Sequence, residues 1–198
     1  QEDEFAICAL GLPSPYRNIV FPNNPPIDAD YLTLRDLTDA QRAKWLDALE
    51  YILKALTIAE PKTVVLKSPP HTARVKTILE RFPNAKFVHI SRNPFILFPS
   101  TVNLWTTLAR THGLQRPKGG AALEEKVLSD FERMYDAYFE DVKLLKERQF
   151  CEISYDELVS APVATLERVY AELGIEGFDE KRDEFQKLAE TQKAYKKN

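Results

Sequence analysis

Two short apolar runs, each followed by proline and then by a helix-like pattern, constrain the fold of this chain more than any other feature. The runs cover residues 64–66 and 87–90, and the basic residues Lys67 and Arg92 stand just after them. This order predicts strand, helix, strand and helix, which is the unit of a parallel β-sheet. Ligands of such sheets bind beyond the carboxyl ends of the strands, so the two cations predict a polyanion site.

Length and composition indicate one ordinary globular domain. The chain has 198 residues, 44% of them hydrophobic and 29% charged, and we expect a single domain over 1–198. No apolar run is long enough to cross a bilayer and no signal peptide is recognisable. Two cysteines form no disulfide framework and three histidines lack ligand spacing, which predicts no metal site and a reducing, cytoplasmic location.

The charge distribution separates classes of ligand. A net charge of −3 argues against general nucleic-acid binding. From residue 62 to residue 92, however, seven basic residues accompany a single acidic one. Four of these are expected to coat the solvent face of one helix: Arg74, Lys76, Arg81 and Lys86. Lys67 and Arg92 are explained less well in this way, because both stand at predicted strand ends.

Capping signals and apolar periodicity predict the remaining elements. Thr38 and Gln41 fit a capping box for a helix that should stop before Pro61. Gly174 should end another helix. Leu97, Leu104, Trp105 and Leu108 should form the buried stripe of the helix that starts at Pro94. The expected strands cover 63–67, 86–91 and 150–154, and other expected helices cover 71–81, 123–145, 162–173 and 179–195.

The motifs in this order resemble a known enzyme family. The chain reads K-S-P-x-H from Lys67, then F-P-N-A-K-F-V, then S-R-N-P around Arg92, with Ser100 eight residues after the arginine. This is similar to sulfotransferases that use 3′-phosphoadenylyl sulfate (PAPS). A later segment, ISYDELVSAP, is similar to the Tyr-acid-acid-Leu segment of that family. The resemblance covers about residues 1–173 and implies an α/β fold: a parallel sheet flanked by helices, as in P-loop nucleotide kinases.

The resemblance implies a set of donor-binding residues. Arg92 and Ser100 would bind the 3′-phosphate of PAPS, and Tyr155 would contact its adenine. A guanidinium offers a planar fork of donors that matches phosphate oxygens, and Ser100 follows about two helical turns later. The alternatives are an ordinary ion pair for Arg92, a helix serine without a role for Ser100, and a partly buried core aromatic for Tyr155.

The resemblance also implies which residues carry out the transfer. Lys67 would stabilise charge that develops as the sulfuryl group leaves its phosphate. An acceptor hydroxyl must lose a proton, and the family uses either a histidine after this lysine or a glutamate. His71 is the first candidate, and Glu4 and Glu2 are the carboxylate candidates. The alternatives are a helix-start histidine bonded to backbone and acids that only favour a helix N-terminus.

One part of the family's pattern is absent from this sequence. The loop P-x-[SR]-[GS]-[TG]-[TS], which holds the phosphosulfate in the family, does not occur, and we expect a chain truncated at both ends. Two other functions stay open: a nucleotide kinase-like phosphate-handling enzyme, which would need a G-x-x-x-x-G-K-[ST] loop, and a non-catalytic nucleotide-binding module. The acceptor stays open among glycans, lipids, phenols and peptide tyrosines. Four aromatic residues are candidates for lining the acceptor pocket: Phe5, Tyr16, Phe21 and Trp105. Whether the chain forms a homo-oligomer also stays open.

Overall fold

Two parallel strands carry the α/β character of the chain in a computed structural model that describes residues 2–193. Strand β1 is Phe87–Ser91 and strand β2 is Phe150–Ser154. They pair in parallel, with Phe87 opposite Phe150 and Ser91 opposite Ser154. Helices occupy much of the remaining sequence, so the predicted α/β class with a parallel sheet and flanking helices is confirmed.

The helices follow most of the predicted boundaries within the described residues. The α-helices are α1 (Asp3–Ala9), α2 (Asp39–Ala59), α3 (Val75–Arg81), α4 (Pro94–His112), α5 (Ala121–Asp141), α6 (Tyr155–Ser160), α7 (Pro162–Leu173) and α8 (Phe178–Lys193). Short 3-10 helices cover Pro15–Ile19, Ala29–Leu32, Pro69–Ala73 and Val142–Leu144. The last predicted helix extends to Tyr195, and its final two residues lie outside the described part. None of these helices combines the length and the apolar content needed to cross a membrane.

Local signals explain where several helices begin and end. The Thr38 hydroxyl accepts a hydrogen bond from the Gln41 amide at 3.3 Å, and the Gln41 side chain accepts one from the Thr38 amide at 2.9 Å. This capping box starts α2 as predicted. Gly174 follows α7 with φ of +59°, a left-handed conformation that glycine adopts at little cost.

The described chain divides into two compact units. Unit 1 contains the residues up to Pro83 together with Phe95–Leu144, and unit 2 contains Asn84–Pro94 together with the residues from Leu145 onward. The core of unit 1 packs α2 against α1 and the segment between them, with these buried members: Ile7, Leu12, Tyr31, Leu34, Leu37, Trp45, Leu46, Ala48 and Leu49. The core of unit 2 packs β2 against α7: Cys151, Ile153, Val169 and Leu173.

Residues 63–67 do not form the strand that the sequence predicts. The segment is irregular, and no strand within residues 2–193 pairs with it. Its side chains still alternate, since Leu66 packs against the unit 1 core while Val65 is 87% exposed. An apolar run becomes a strand only when a neighbouring strand satisfies its backbone groups, so this prediction is wrong for the described chain. The helix expected over 71–81 is a 3-10 turn followed by α3.

Two predictions of side-chain exposure need correction. Arg74 does not coat a solvent face, because its side chain is completely buried in unit 1. The buried stripe expected on α4 is present only in part: Leu97, Trp105 and Leu108 are half-buried, whereas Leu104 is exposed.

Candidate active site

The ammonium group of Lys67 lies at the surface of unit 1 beside a carboxylate. Lys67 Nζ forms an ion pair with Glu2 Oε1, and the Tyr16 hydroxyl donates a 2.6 Å hydrogen bond to Glu2 Oε2. The Lys67 side chain is 78% exposed and that of Glu2 is 20% exposed. Burial, followed by the contact with Glu2, raises the pKa of Tyr16 far above its ordinary value, so this hydroxyl stays a hydrogen-bond donor.

Three of the four predicted aromatic residues pack together next to this carboxylate. The rings of Phe5 and Tyr16 meet edge to face with centroids 5.2 Å apart, and those of Tyr16 and Trp105 meet at 5.8 Å. Phe5 is exposed, whereas Tyr16 and Trp105 are half-buried. This aromatic row (Phe5, Tyr16 and Trp105) therefore gives the surface near Glu2 an apolar wall.

His71 forms a buried pair with Asp3, an acid that belongs to none of the family's motifs. Its Nε2 atom lies 2.8 Å from Asp3 Oδ2, close enough for an ion pair but not aligned for a hydrogen bond. Burial alone would raise the pKa of Asp3, but the contact with His71 outweighs it and lowers that pKa below its ordinary value. Both ring nitrogens of His71 are buried, which leaves neither open to an incoming molecule.

Glu4 lies in the interior of unit 1 with both carboxylate oxygens occupied. Arg74 Nη1 donates to Glu4 Oε2 at 2.7 Å and its Nη2 donates to Glu4 Oε1 at 3.3 Å, while the Ser14 hydroxyl donates to Oε1 at 2.6 Å. Both partners of the Glu4–Arg74 pair have fully buried side chains. Arg74 also donates to the backbone oxygens of Tyr31 and Leu32. Glu4 is thus enclosed in this structure and presents no oxygen to solvent.

Arg92 and Tyr155 lie together at the carboxyl edge of the two-stranded sheet in unit 2. They directly follow Ser91 and Ser154, which are paired in register. The guanidinium carbon of Arg92 lies 4.4 Å from the centre of the Tyr155 ring, in a cation–π contact. Within the described part of unit 2, no carboxylate forms an ion pair with Arg92. Lys67 does not share this edge, because residues 63–67 form no strand within the described residues.

The structure therefore brings the predicted residues together in separate groups. Lys67, His71 and Glu4 belong to unit 1, where each faces a different partner. Ser100 also belongs to unit 1 and is exposed on α4. The functional roles assigned to these residues, and to Arg92 and Tyr155, stay predictions. Among residues 2–193, no three or more histidine, cysteine or acidic side chains are grouped so that they could hold a metal ion.

The Glu2 and Asp3 contacts are the parts of this arrangement that the sequence alone does not reveal. The acidic run at the start of α1 identifies Glu2 and Glu4 as carboxylate candidates, but it does not distinguish a surface position from a buried one. A helical signal does exist for Glu4, because it stands three residues before the fully buried Ile7 and so faces the same core.

Comparison with known proteins decides the family. Residues 22–180 match the model of the sulfotransferase family. The chain belongs to the sulfotransferase family. Two relatives carry the name omega-hydroxy-beta-dihydromenaquinone-9 sulfotransferase Stf3, one from Mycobacterium bovis (strain ATCC BAA-935 / AF2122/97) and one from Mycobacterium tuberculosis (strain CDC 1551 / Oshkosh).

These sulfotransferase relatives match nearly all of this chain but only part of their own length. Each is 40% identical over 179 residues, which is 90% of this chain and 46% of the relative. The chain thus spans about half the length of the curated relatives it matches. No solved structure matches this sequence.

Proposed function

We propose that this chain provides part of the donor and transfer site of an enzyme that moves a sulfuryl group from PAPS to an acceptor hydroxyl. Membership of the sulfotransferase family supports the reaction class. The observation that carries the proposal within the structure is the exposed Lys67 ammonium, paired with Glu2 at the position of the family's lysine. The complete fold would then be the P-loop-like sulfotransferase fold, and we keep the predicted cytoplasmic location as part of the proposal.

In this proposal Lys67 stabilises the transition state. The acceptor oxygen forms a bond to sulfur while the bond from sulfur to the phosphate oxygen breaks, and negative charge grows on the departing phosphate. The products are a sulfate ester and adenosine 3′,5′-bisphosphate. An ammonium held next to the departing oxygen stabilises the negative charge that grows there, and it therefore stabilises the transition state more than the bound substrate. The exposure of Lys67 leaves its ammonium accessible to a ligand.

Accessibility favours Glu2 as the group that removes the acceptor proton. A general base must lie within hydrogen-bond reach of the hydroxyl it deprotonates. Glu4 is enclosed by Arg74 and Ser14, and both nitrogens of His71 are buried. Glu2 is the partly exposed candidate, and the Tyr16 hydroxyl holds its carboxylate in place. We therefore assign the base to Glu2, and the predictions for His71 and Glu4 become the alternatives that the experiment separates.

Donor recognition completes the proposal. Arg92 and Ser100 bind the 3′-phosphate, the group that distinguishes PAPS from ATP. The position of Arg92 after β1 supports this role, because ligands of parallel sheets bind beyond that edge.

For the acceptor, we propose a hydroxyl carried by an apolar molecule. The relatives' name specifies an omega-hydroxylated menaquinone as their acceptor. The aromatic row beside Glu2 is a surface that an apolar group next to a reacting hydroxyl can contact.

The experiment measures PAPS-dependent sulfation of an omega-hydroxylated prenylquinone by the full-length protein. Lys67→Ala should lower turnover by about 100- to 1,000-fold while the affinity for adenosine 3′,5′-bisphosphate changes little. Glu2→Gln should lower turnover by about 100-fold or more. The control is Lys62→Ala, since Lys62 forms an exposed ion pair with Glu60 and should be dispensable.

Other results of this experiment would support different mechanisms. Full activity of Lys67→Ala would remove Lys67 from the reaction. Full activity of Glu2→Gln with inactive His71→Asn or Glu4→Gln would move the base to one of those residues. Binding of the bisphosphate without any turnover by the unaltered protein would favour the non-catalytic nucleotide-binding module.

A further inference from the structure

We propose that Tyr155 is a positioning residue for Arg92 and so determines how strongly the protein prefers nucleotides that carry a 3′-phosphate. This inference rests on the proposed role of Arg92 in binding that phosphate. It differs from the adenine contact that the family resemblance implies for Tyr155, because here the tyrosine acts through the arginine.

The sheet register places the two residues side by side. Ser91 and Ser154 are directly opposed in the parallel pair, so the next residue of each strand leaves the sheet at the same edge. Neighbouring strands lie about 4.8 Å apart, which brings the two side chains within reach without any further chain movement. The proximity therefore follows from backbone pairing.

The tyrosine is held more firmly than an ordinary surface residue. It is the first residue of α6, directly after the capping residue Ser154. The Ser154 hydroxyl accepts from the Glu157 amide at 3.0 Å, and the Glu157 carboxylate accepts from the Ser154 amide at 2.9 Å. This reciprocal capping box fixes the backbone from which the Tyr155 ring projects.

The geometry of the contact leaves the phosphate-binding atoms available. The guanidinium carbon of Arg92 lies over the Tyr155 ring, 4.4 Å from the ring centre. The ring therefore occupies one side of the guanidinium, and the N–H donors that point away from the ring remain for an anion, since arginine has five such donors. A free arginine side chain samples many rotamers, and this contact restricts it before a ligand arrives.

The two roles for Tyr155 predict different losses of affinity. If the ring contacts adenine, its removal lowers the affinities for adenosine 3′,5′-bisphosphate and for AMP by the same factor, since both carry adenine. If the ring positions Arg92, its removal lowers only the affinity for the bisphosphate, because AMP lacks the 3′-phosphate. The ratio of the two dissociation constants therefore separates the roles, and general damage to the fold would lower both affinities.

The test measures both dissociation constants by calorimetry for variants of the full-length protein. Tyr155→Leu should raise the dissociation constant of the bisphosphate by about 3- to 10-fold, as expected for loss of a cation–π contact, and that of AMP by less than about 2-fold. Tyr155→Phe keeps the ring face and should bind both nucleotides normally. Added to Arg92→Ala, Tyr155→Leu should cause no further loss. The matched control is Phe185→Leu, which removes an aromatic ring that packs on Phe178 in the same unit.

If Tyr155→Leu does not fold, a series of ring analogues at position 155 provides a second test. Phenylalanine analogues with increasing numbers of fluorine atoms keep the shape of the ring while they weaken its negative face. At position 155 they should lower affinity for the bisphosphate stepwise and leave that for AMP unchanged.

The outcomes distinguish this inference from the proposed function on which it rests. Equal losses for both nucleotides in Tyr155→Leu, or no trend across the fluorinated series, would overturn the positioning role while leaving Arg92 in place. A ratio of affinities that Arg92→Ala does not change would instead refute the proposed role of Arg92, and the inference with it.

Discussion

Replacing Glu4 by glutamine is expected to destabilise unit 1 strongly, because it removes the charge that balances a completely buried arginine. Both oxygens of Glu4 receive hydrogen bonds from Arg74, and one also receives a bond from Ser14. Glutamine fills nearly the same space, so the substitution changes charge and hydrogen bonding rather than packing. It leaves the Arg74 guanidinium in the interior without an opposite charge.

The structure sets the size of this effect. Removing one member of a buried ion pair costs about 3–5 kcal/mol, mostly because the remaining charge stays desolvated. A domain is typically stable by about 5–15 kcal/mol, so the loss would be a large part of the total. A matched surface variant, Glu60→Gln, also removes a partner from an ion pair, but both side chains there are mostly exposed. It should cost less than about 1 kcal/mol.

Urea unfolding followed by circular dichroism measures the difference. A double variant, Glu4→Gln with Arg74→Met, should recover part of the loss, because the unpaired charge is gone; we expect a coupling free energy of about 1–3 kcal/mol. If Glu4→Gln unfolds within about 1 kcal/mol of the unaltered protein yet has lost turnover, the structural reasoning is wrong and Glu4 is a catalytic group.

Three further changes test other contacts. The contact with His71 lowers the pKa of Asp3 in the folded protein below the ordinary aspartate value of 3.8. Ionised Asp3 should therefore stabilise the fold at pH values above 3.8, and this stabilisation should be lost as the pH falls through the lower pKa of the folded state. Asp3→Asn should therefore lower the urea midpoint at about pH 6, with the difference shrinking in acid; a constant difference would contradict this. Gly174→Ala should cost about 1 kcal/mol in the same assay, because its φ is positive, and a neutral effect would contradict the C-cap argument. Arg35→Ala should cost about 1–3 kcal/mol, since it removes a partner 2.6 Å from the buried Asp141 carboxylate; wild-type stability would show that the pair contributes nothing.

Features that depend on neighbouring residues were predictable from the sequence. The capping box at Thr38 and the end of α7 at Gly174 both depend on a few adjacent side chains.

Features that depend on distant partners were not predictable in this way. Residues 63–67 have the apolar alternation of a strand, but strand formation needs a hydrogen-bonded neighbour, which is a property of the whole fold. Charge alone predicts an exposed Arg74, because most charged side chains lie at the surface, and the buried partner that reverses this comes from a distant part of the chain. The spacing of Arg74 does contain a signal: Arg74, Ile78 and Phe82 follow at four-residue intervals and therefore share one helix face.

We propose that this protein recognises a 3′-phosphorylated adenine nucleotide as a sulfotransferase does, and thermal unfolding with added nucleotide tests this proposal most directly. A ligand that binds only the folded state raises stability by an amount that grows with the logarithm of its concentration divided by its dissociation constant, so at equal concentrations the tighter ligand gives the larger shift. Saturating adenosine 3′,5′-bisphosphate should raise the Tm of the full-length protein by about 5–10 °C, AMP should raise it much less, and Arg92→Ala should remove the difference. Equal shifts with the two nucleotides would contradict the account.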